Sequence, residues 1–575
     1  MNHPATDGGD KGSSDGVDPV TLEVVRNACT ALAEEMNATL VRTAYSPNIT
    51  DRRDCSSALF DPAGELVSQA ESIPVHLGAM PHSVAAAMEA FPRETLEPGD
   101  AVLLNDPFHG GAHLPDLTLV APIFEGGDLV AIAANRAHHA DVGGATAGSV
   151  AADSTEIYEE GLRIPPVKLY EAGERTEAVQ DLLSANVRTP VERAGDLRAQ
   201  HAANETARDR FGEIVDRYGR GTVAAALDAI KDYAEERTRA EIRHLPAGHY
   251  TFEDTLDGDG RGSGEVTIAA EIEIGDDELR VDFAGTDEQV PGAVNAPIAV
   301  TASATYYAVR CVTDPDVPPC AGAYRPIEIE APPGTVVNAE PPAAVVGGNL
   351  EVSQRIVDVL FGAFAEAAPG RVAAAGQGTM NNLTLGGTDP RDGSPFAFYE
   401  TQGGGSGGRA RADGMDGVHV HMSNTRNTPV EVLETAYPLR VRRYALRPNS
   451  GGAGEFRGGL GLRRDIEART DVTCSVLADR RRGAPYGIAG GEAGVTGEDY
   501  LLSEGNTERL DPKSTRDLAG GEVVSLRTPG GGGYGDPGDR DEAHVSRDLR
   551  LGKITRERVR EVYGLNPGEL RPGSR

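Results

Sequence analysis

The chain has 575 residues, 39% of them hydrophobic and 25% charged, too long for one hydrophobic core and too apolar for a disordered polymer. Its net charge is −34, and lysine occurs only at Lys11, Lys168, Lys231, Lys513 and Lys553 among 55 basic residues. With the acidic excess spread over the chain and no basic stripe, nucleic acid is excluded as a partner, and the surface reads as halophilic, adapted to a salt-rich cytoplasm that screens self-repulsion.

The five cysteines (Cys29, Cys55, Cys311, Cys320, Cys474) form no CxxC pair, which points to a reducing compartment and away from a structural zinc ribbon. The N-terminus lacks the apolar core of a signal peptide and no apolar run is long enough to span a membrane, so a cytoplasmic protein is expected.

Residues 1–17 are small and polar and read as a disordered tail. Asp18 and Pro19 then start a helix, with Leu22, Val25, Cys29, Leu32, Met36 and Leu40 at helical spacing. Arg52, Arg53 and Asp54 read as a surface or structural cluster, with a substrate-anion clamp as the alternative, ahead of a hairpin that pairs 58–61 with 65–68. His76, between Val75 and Leu77, is either a core histidine or one that faces the next hairpin. A short helix is expected to begin at Ser83.

The densest chemistry lies between Asn105 and Gly144, where His109, His113, His138 and His139 accompany Asp106, Asp116 and Asp141. Apolar runs at 117–124 and 129–134 flank Glu125-Gly126-Gly127-Asp128, the pattern of a buried β-hairpin. A turn centred on Gly126-Gly127 puts Asp116 opposite Ala137, so His-x-x-Asp on one arm meets His-His-x-Asp on the other. Imidazoles and carboxylates gathered in this way suit Zn, Mn or Fe. Strand alternation lets only one of His138 and His139 join His113 and Asp116. The idealised register favours His139, and a slip of one residue favours His138.

Residues 158–173 look like a loop folded over a site, and 176–243 like a helical hairpin or bundle. Strands follow at 250–256, 265–274 and 278–284, with a solvated acidic turn at 257–264, then a helix (297–312), a strand (325–330) and a helix (351–367). In the last third, glycines crowd 376–378, 403–408, 451–461 and 530–535, the texture of a β-region with tight turns. A tail after 536 carries a helix over 555–563. The expected fold class is α+β and multidomain. It comprises a tail (1–17), an α/β metal-site domain (18–245), a mixed middle region (246–370), a glycine-rich β-region (371–540) and a C-terminal tail (541–575).

Two motifs mislead. Gly530, Gly532 and Gly535 satisfy G-x-G-x-x-G without a strand and helix to frame them, and Gly404 to Gly408 satisfies G-x-S-x-G without an apolar helix after it. No lysine sits in a phosphate-binding P-loop, so any ATP in this chemistry is expected on another chain.

Several stretches in order, YSPNITDRRDCSSALFD, IPVHLGAM, NDPFHGGAHLPD, RAHHADVGG, DGVHVHMSNTRNTPVEVLE, SGGAGEFRGGLG and TPGGGGYGDP, resemble the hydantoinase B/oxoprolinase family from about Asp18 to Pro537. The B-type component of N-methylhydantoinase and the metal-bearing large subunits of acetone and acetophenone carboxylases are among its relatives. The resemblance implies an actin-like, ATP-binding hydantoinase A-type partner in a hetero-oligomer. That partner would phosphorylate a small cyclic amide, whose activated form meets a divalent metal on this chain. It implies His113, Asp116 and His138 as ligands; on chemical grounds His139 is kept behind them, with Asp141, His76, Asp106 and His109 as acid/base or supporting groups around the metal. Glycine-rich loops can present backbone N–H groups to phosphate, although tight turns are their simpler role. Three other readings stand beside this one: an ATP-dependent ketone carboxylase, a non-catalytic scaffold component, and a self-sufficient metal hydrolase.

Overall fold

The computed structural model describes residues 17–70 and 72–570, so all but residue 17 of the expected tail lies outside the described residues. The first helix, α1 (Pro19–Thr43), starts where its cap dictates: the Asp18 carboxylate accepts the N–H groups of Val20 and Thr21, and Val25, Cys29, Leu32, Met36 and Leu40 are buried along one stripe. A short turn of helix, α2 (Pro47–Thr50), leads into the first sheet.

That sheet is antiparallel throughout and has seven strands: β1 (Cys55–Phe60), β2 (Leu66–Gln69), β3 (Ala101–Leu104), β4 (Asp116–Glu125), β5 (Asp128–His138), β6 (Val167–Glu171) and β7 (Glu174–Arg175). Their spatial order is β2-β1-β5-β4-β3-β6-β7. Both faces are covered, which is why its strands read as nearly continuous apolar runs. On one face Cys55, Leu59, Ala131 and Ala133 pack against α1 and the helices Pro190–Tyr218 and Arg220–Ile242. On the other, Ala58, Phe60, Ile132 and Ala134 pack against Leu77, Met80, Val84 and Ala87 of α3 (Pro74–Ala90).

Helix α3 begins nine residues before the expected Ser83, so His76 stands in its first turn. Residues 158–173, expected as a covering loop, instead supply β6, which pairs with β3 and extends the sheet.

A four-stranded sheet of Gly248–Leu256, Val266–Ile274, Leu279–Asp282 and Ile327–Glu330 follows, with the helices Ile298–Val312 and Ser353–Ala367 on its core. The 257–264 turn is solvated only over 260–264, and its first three residues are buried. Asp257 is buried and accepts N–H groups from Arg482 and Gly483, and Asp259 is buried with those of Arg261 and Gly292. The C-terminal region packs a four-stranded and a five-stranded sheet around one core containing Leu385, Phe398, Ile466 and Leu526. The helices Glu542–Arg550, which the sequence pattern missed, and Arg556–Glu561 close the chain.

The glycine-rich segments are more than turns. Gly405, Gly408, Gly452, Gly459 and Gly531 donate to Pro529, Gly532, Gly531, Ser406 and Gly459 carbonyls, so backbones from three segments lie directly on one another, and Gly532 donates to Ala375 of a fourth. A Cβ on Gly405 would stand 2.0 Å from the Gly459 carbonyl oxygen, and one on Gly531 2.1 Å from that of Ser406. Only glycine allows this approach, and the bonded N–H groups have no donor left for phosphate. Among the described residues no helix is long and apolar enough to cross a membrane.

Candidate metal centre

Strands β4 and β5 lie at the centre of the first sheet. Their ladder starts as a turn on Gly126-Gly127 requires, with Glu125 opposite Asp128 and Phe124 opposite Leu129. It then shifts: Ile123 faces Ala131, and Val130 is left over as a bulge. From there the pairing runs one residue out of the idealised register, and Asp116 faces His138 instead of Ala137. One bulged residue thus decides between the two adjacent histidines.

His138 lies on the face shared with Ala134 and Ile132, under α3. His139 takes the opposite face, where its Nε2 is 2.9 Å from Gln200 Oε1 on the helix Pro190–Tyr218. Burial, reinforced by the Arg193 charge, pushes His139 down to about 4 and keeps it neutral.

At the mouth of the hairpin, one ligand atom each from His113, Asp116 and His138 lie within 4.8 Å of one another, all three side chains being buried. Asp116 Oδ1 is 3.0 Å from His113 Nε2 and 3.1 Å from His138 Nδ1. Its Oδ2 is 3.3 Å from His76 Nε2 and 3.4 Å from Asn349 Nδ2. Burial alone would raise the Asp116 carboxyl, but the His113 and His76 imidazoles outweigh it and hold it well below the usual range. Burial lowers His113 despite the pull of Asp116. An ionised carboxylate beside a neutral imidazole is the protonation state that a divalent cation requires.

The donor set fits a metal in a second respect. His113 Nδ1 and His138 Nε2 are sealed from solvent without a hydrogen-bond partner, while His113 Nε2 and His138 Nδ1 face Asp116. Orphaned nitrogens in a buried polar cluster are costly, and a cation, which takes one nitrogen from each ring, gives each imidazole a partner.

Around these three stand groups from distant parts of the chain. His76 has Ser56 Oγ 3.3 Å from its Nδ1 and Asp54 3.8 Å from its Nε2. Tyr399 stacks on the His138 ring at 4.6 Å, with the Arg52 guanidinium 5.0 Å from the Tyr399 ring centre. Of the Arg52-Arg53-Asp54 cluster only Arg53 is at the surface; Arg52 and Asp54 are buried, and Arg52 Nη1 donates to the Tyr399 carbonyl. Arg52 and Asp54 were visible in the YSPNITDRRDCSS stretch. Asn349 and Tyr399 carried no local signal, since they reach the hairpin only through tertiary folding.

The remaining candidates have other partners. Asp106 accepts the Phe108 N–H and faces His109 Nδ1 at 2.9 Å, while His109 itself is 65% exposed. Asp141 binds the N–H groups of Gly143, Gly148 and Arg188 and the Arg188 guanidinium. None of these bonds reaches the cluster.

The family model for hydantoinase B/oxoprolinase matches residues 18–537. The chain is 38% identical to 5-oxoprolinase 1 of Arabidopsis thaliana over 90% of its own length, but it spans only 42% of that protein. The solved structure of an ATP-dependent caprolactamase from Pseudomonas jessenii superimposes with a TM-score of 0.89, at 34% identity and 96% coverage of both chains. The nucleotide-free acetone carboxylase structure shares the fold, with a TM-score of 0.86 at 20% identity, over 95% of this chain and 79% of that one. The chain belongs to the hydantoinase B/oxoprolinase family.

Proposed function

We propose that this chain is the metal-bearing component of an ATP-dependent enzyme that opens a small cyclic amide of the hydantoin or 5-oxoproline type, working with an A-type partner that activates the ring with ATP. The observation that carries this reading is the buried His113–Asp116–His138 cluster with its unpartnered nitrogens, in a family whose relatives are named for cyclic-amide hydrolysis. A divalent transition metal (Zn, Mn or Fe) bound there supplies a Lewis acid that polarises an oxygen of the reacting group and lowers the pKa of water.

His113, Asp116 and His138 hold the ion, and His139, fixed by Gln200, keeps the end of β5 in place. His76, between Asp116 and Asp54 with Ser56 on its other nitrogen, is the side chain we assign to moving a proton at the site. Tyr399 excludes water from one side of His138. To Asp106, His109 and Asp141 we assign the shaping of the loops around the hairpin mouth.

The test is metal content of the purified chain beside Asp116→Ala, followed by turnover with the partner and ATP. About one transition metal per chain, lost in the variant together with ATP-dependent ring opening, is expected. An Asp116→Ala complex that turns over normally leaves the chain a scaffold, and turnover without ATP makes it a self-sufficient hydrolase. The shared fold with acetone carboxylase supports a second reading, ketone carboxylation, marked by turnover that requires bicarbonate.

A further inference from the structure

Among the described residues, Arg52, Arg136, Arg355, Arg464 and Arg480 are among the largest fully buried side chains. Four of them have a carboxylate. Arg52 lies 3.7 Å from Asp54, Arg355 2.8 Å from Asp479, Arg464 2.6 Å from Glu400, and Arg480 2.7 Å from Asp358. Among the described residues Arg136 makes no ion pair. Its Nε donates to Thr118 Oγ1 at 2.9 Å, its Nη2 donates to Ser83 Oγ at 2.7 Å, and its Nη1 is buried with no partner. A buried guanidinium with no carboxylate in contact is costly, and the Asp116 charge acts on it without touching it, so a contacting acceptor for Nη1 is sought outside the chain.

Its position says what that acceptor is. Arg136 pairs with Thr118, the next pair after Asp116–His138 on the same face, so the guanidinium lies on the ligand face of the sheet, with its Cα roughly 7 Å along β5 from that of His138. Asp116 is the carboxylate whose charge acts on Arg136 from that face, and a divalent cation held by His113, Asp116 and His138 would draw that charge to itself. Ser83, which holds Arg136, also donates to the Gly110 carbonyl, and Gly110 and the neighbouring His82 line an open cavity of about 610 Å³.

We propose that Arg136 is the receptor for an oxyanion of the substrate or its activated form, held beside the metal centre by the free Nη1. The proposal rests on the metal-centre reading above for its setting, but on the unpaired arginine for its content. A carboxylate and a phosphoryl group offer the same oxygen acceptors to the guanidinium fork.

The experiment is calorimetric titration of inorganic phosphate, and separately of acetate, into the full chain, as metal-loaded and as chelator-treated protein. Wild type, Arg136→Met, Arg136→Lys and Ser83→Ala are compared, with metal content and melting temperature recorded for each. The expected result is binding by wild type that weakens roughly tenfold or more in Arg136→Met and less in Arg136→Lys and Ser83→Ala, with metal content unchanged. Tighter binding of phosphate identifies a phosphoryl oxygen as the ligand, and tighter binding of acetate identifies a carboxylate. Wild-type affinity in Arg136→Met overturns the proposal; if that variant does not fold, wild-type affinity in both Arg136→Lys and Ser83→Ala does so. A chain that takes up no metal yet loses phosphate binding with Arg136 refutes the metal reading and leaves the anion site standing.

Discussion

Glu351 offers a test of the electrostatics behind the metal centre. It lies in the π-helical turn Gly348–Val352, which also brings Asn349 to Asp116, and it is completely buried. One carboxylate oxygen accepts from the Met380 N–H at 3.2 Å and the Asn382 amide at 2.8 Å, and the other has no partner. Burial, then the Asp479 charge, push the carboxyl up from 4.5 to about 7, against Thr379, Lys513 and Arg481. A rise of that size corresponds to about 3 kcal/mol. The folded state therefore holds a proton at pH values where the unfolded chain has released it. Stability is unaffected below pH 4.5, declines as the pH climbs toward 7, and is lower by the full amount above it. Glu351→Gln keeps an acceptor for Met380 and Asn382 and removes the titration. If the chain unfolds as one unit, the gain at pH 8 is about 2–3 °C in melting temperature, and more if only part of it unfolds. At pH 5 the difference shrinks below about 1 kcal/mol. Melting curves of both proteins from pH 5 to 8 give the answer, and parallel curves across that range would refute the reasoning.

Three further outcomes follow from geometry. Tyr399→Ala removes the ring stacked on His138 and should cost about 3–5 kcal/mol and weaken metal retention about tenfold, whereas Tyr399→Phe loses only the bond to Asn382, about 1 kcal/mol. Metal titration of the two variants checks this, and unchanged affinity in Tyr399→Ala removes Tyr399 from the centre. Gly531→Ala forces a Cβ against the Ser406 carbonyl and breaks bonds to Gly459 and Gly452, so urea unfolding should show a loss of about 3 kcal/mol or more; Gly221→Ala, in open space on a helix, should gain up to about 1 kcal/mol. Equal effects at the two sites would contradict the close-packed glycine layer. Deleting Val130 removes the bulge yet leaves Asp116 opposite His138, so metal content should survive the deletion; its loss would mean that the register is set elsewhere.

Much of this was legible in the chain itself. The cap at Asp18, the apolar stripe of α1, the β4–β5 hairpin and the His-x-x-Asp pair all follow from local patterns, because caps, helical spacing and turn glycines act over a few residues. The gathering of His113 and Asp116 with one of two later histidines was equally readable.

Which histidine it would be depended on something else. Alternation fixes sides only once a register is known, and a bulge at Val130, invisible to periodicity, moved that register by one. The 257–264 turn is solvated over 260–264 as its composition suggests, but Asp257 and Asp259 are buried because backbone N–H groups from elsewhere in the fold reach them. Glycines that suggested turns are there because three distant backbones touch, and Asn349 meets Asp116 from 233 residues away. Local patterns were enough for the elements and for the chemical types of the ligands. The register, the neighbours of the site and the unpaired charge of Arg136 came from long-range folding, because each depends on groups far apart in the chain sharing one buried space.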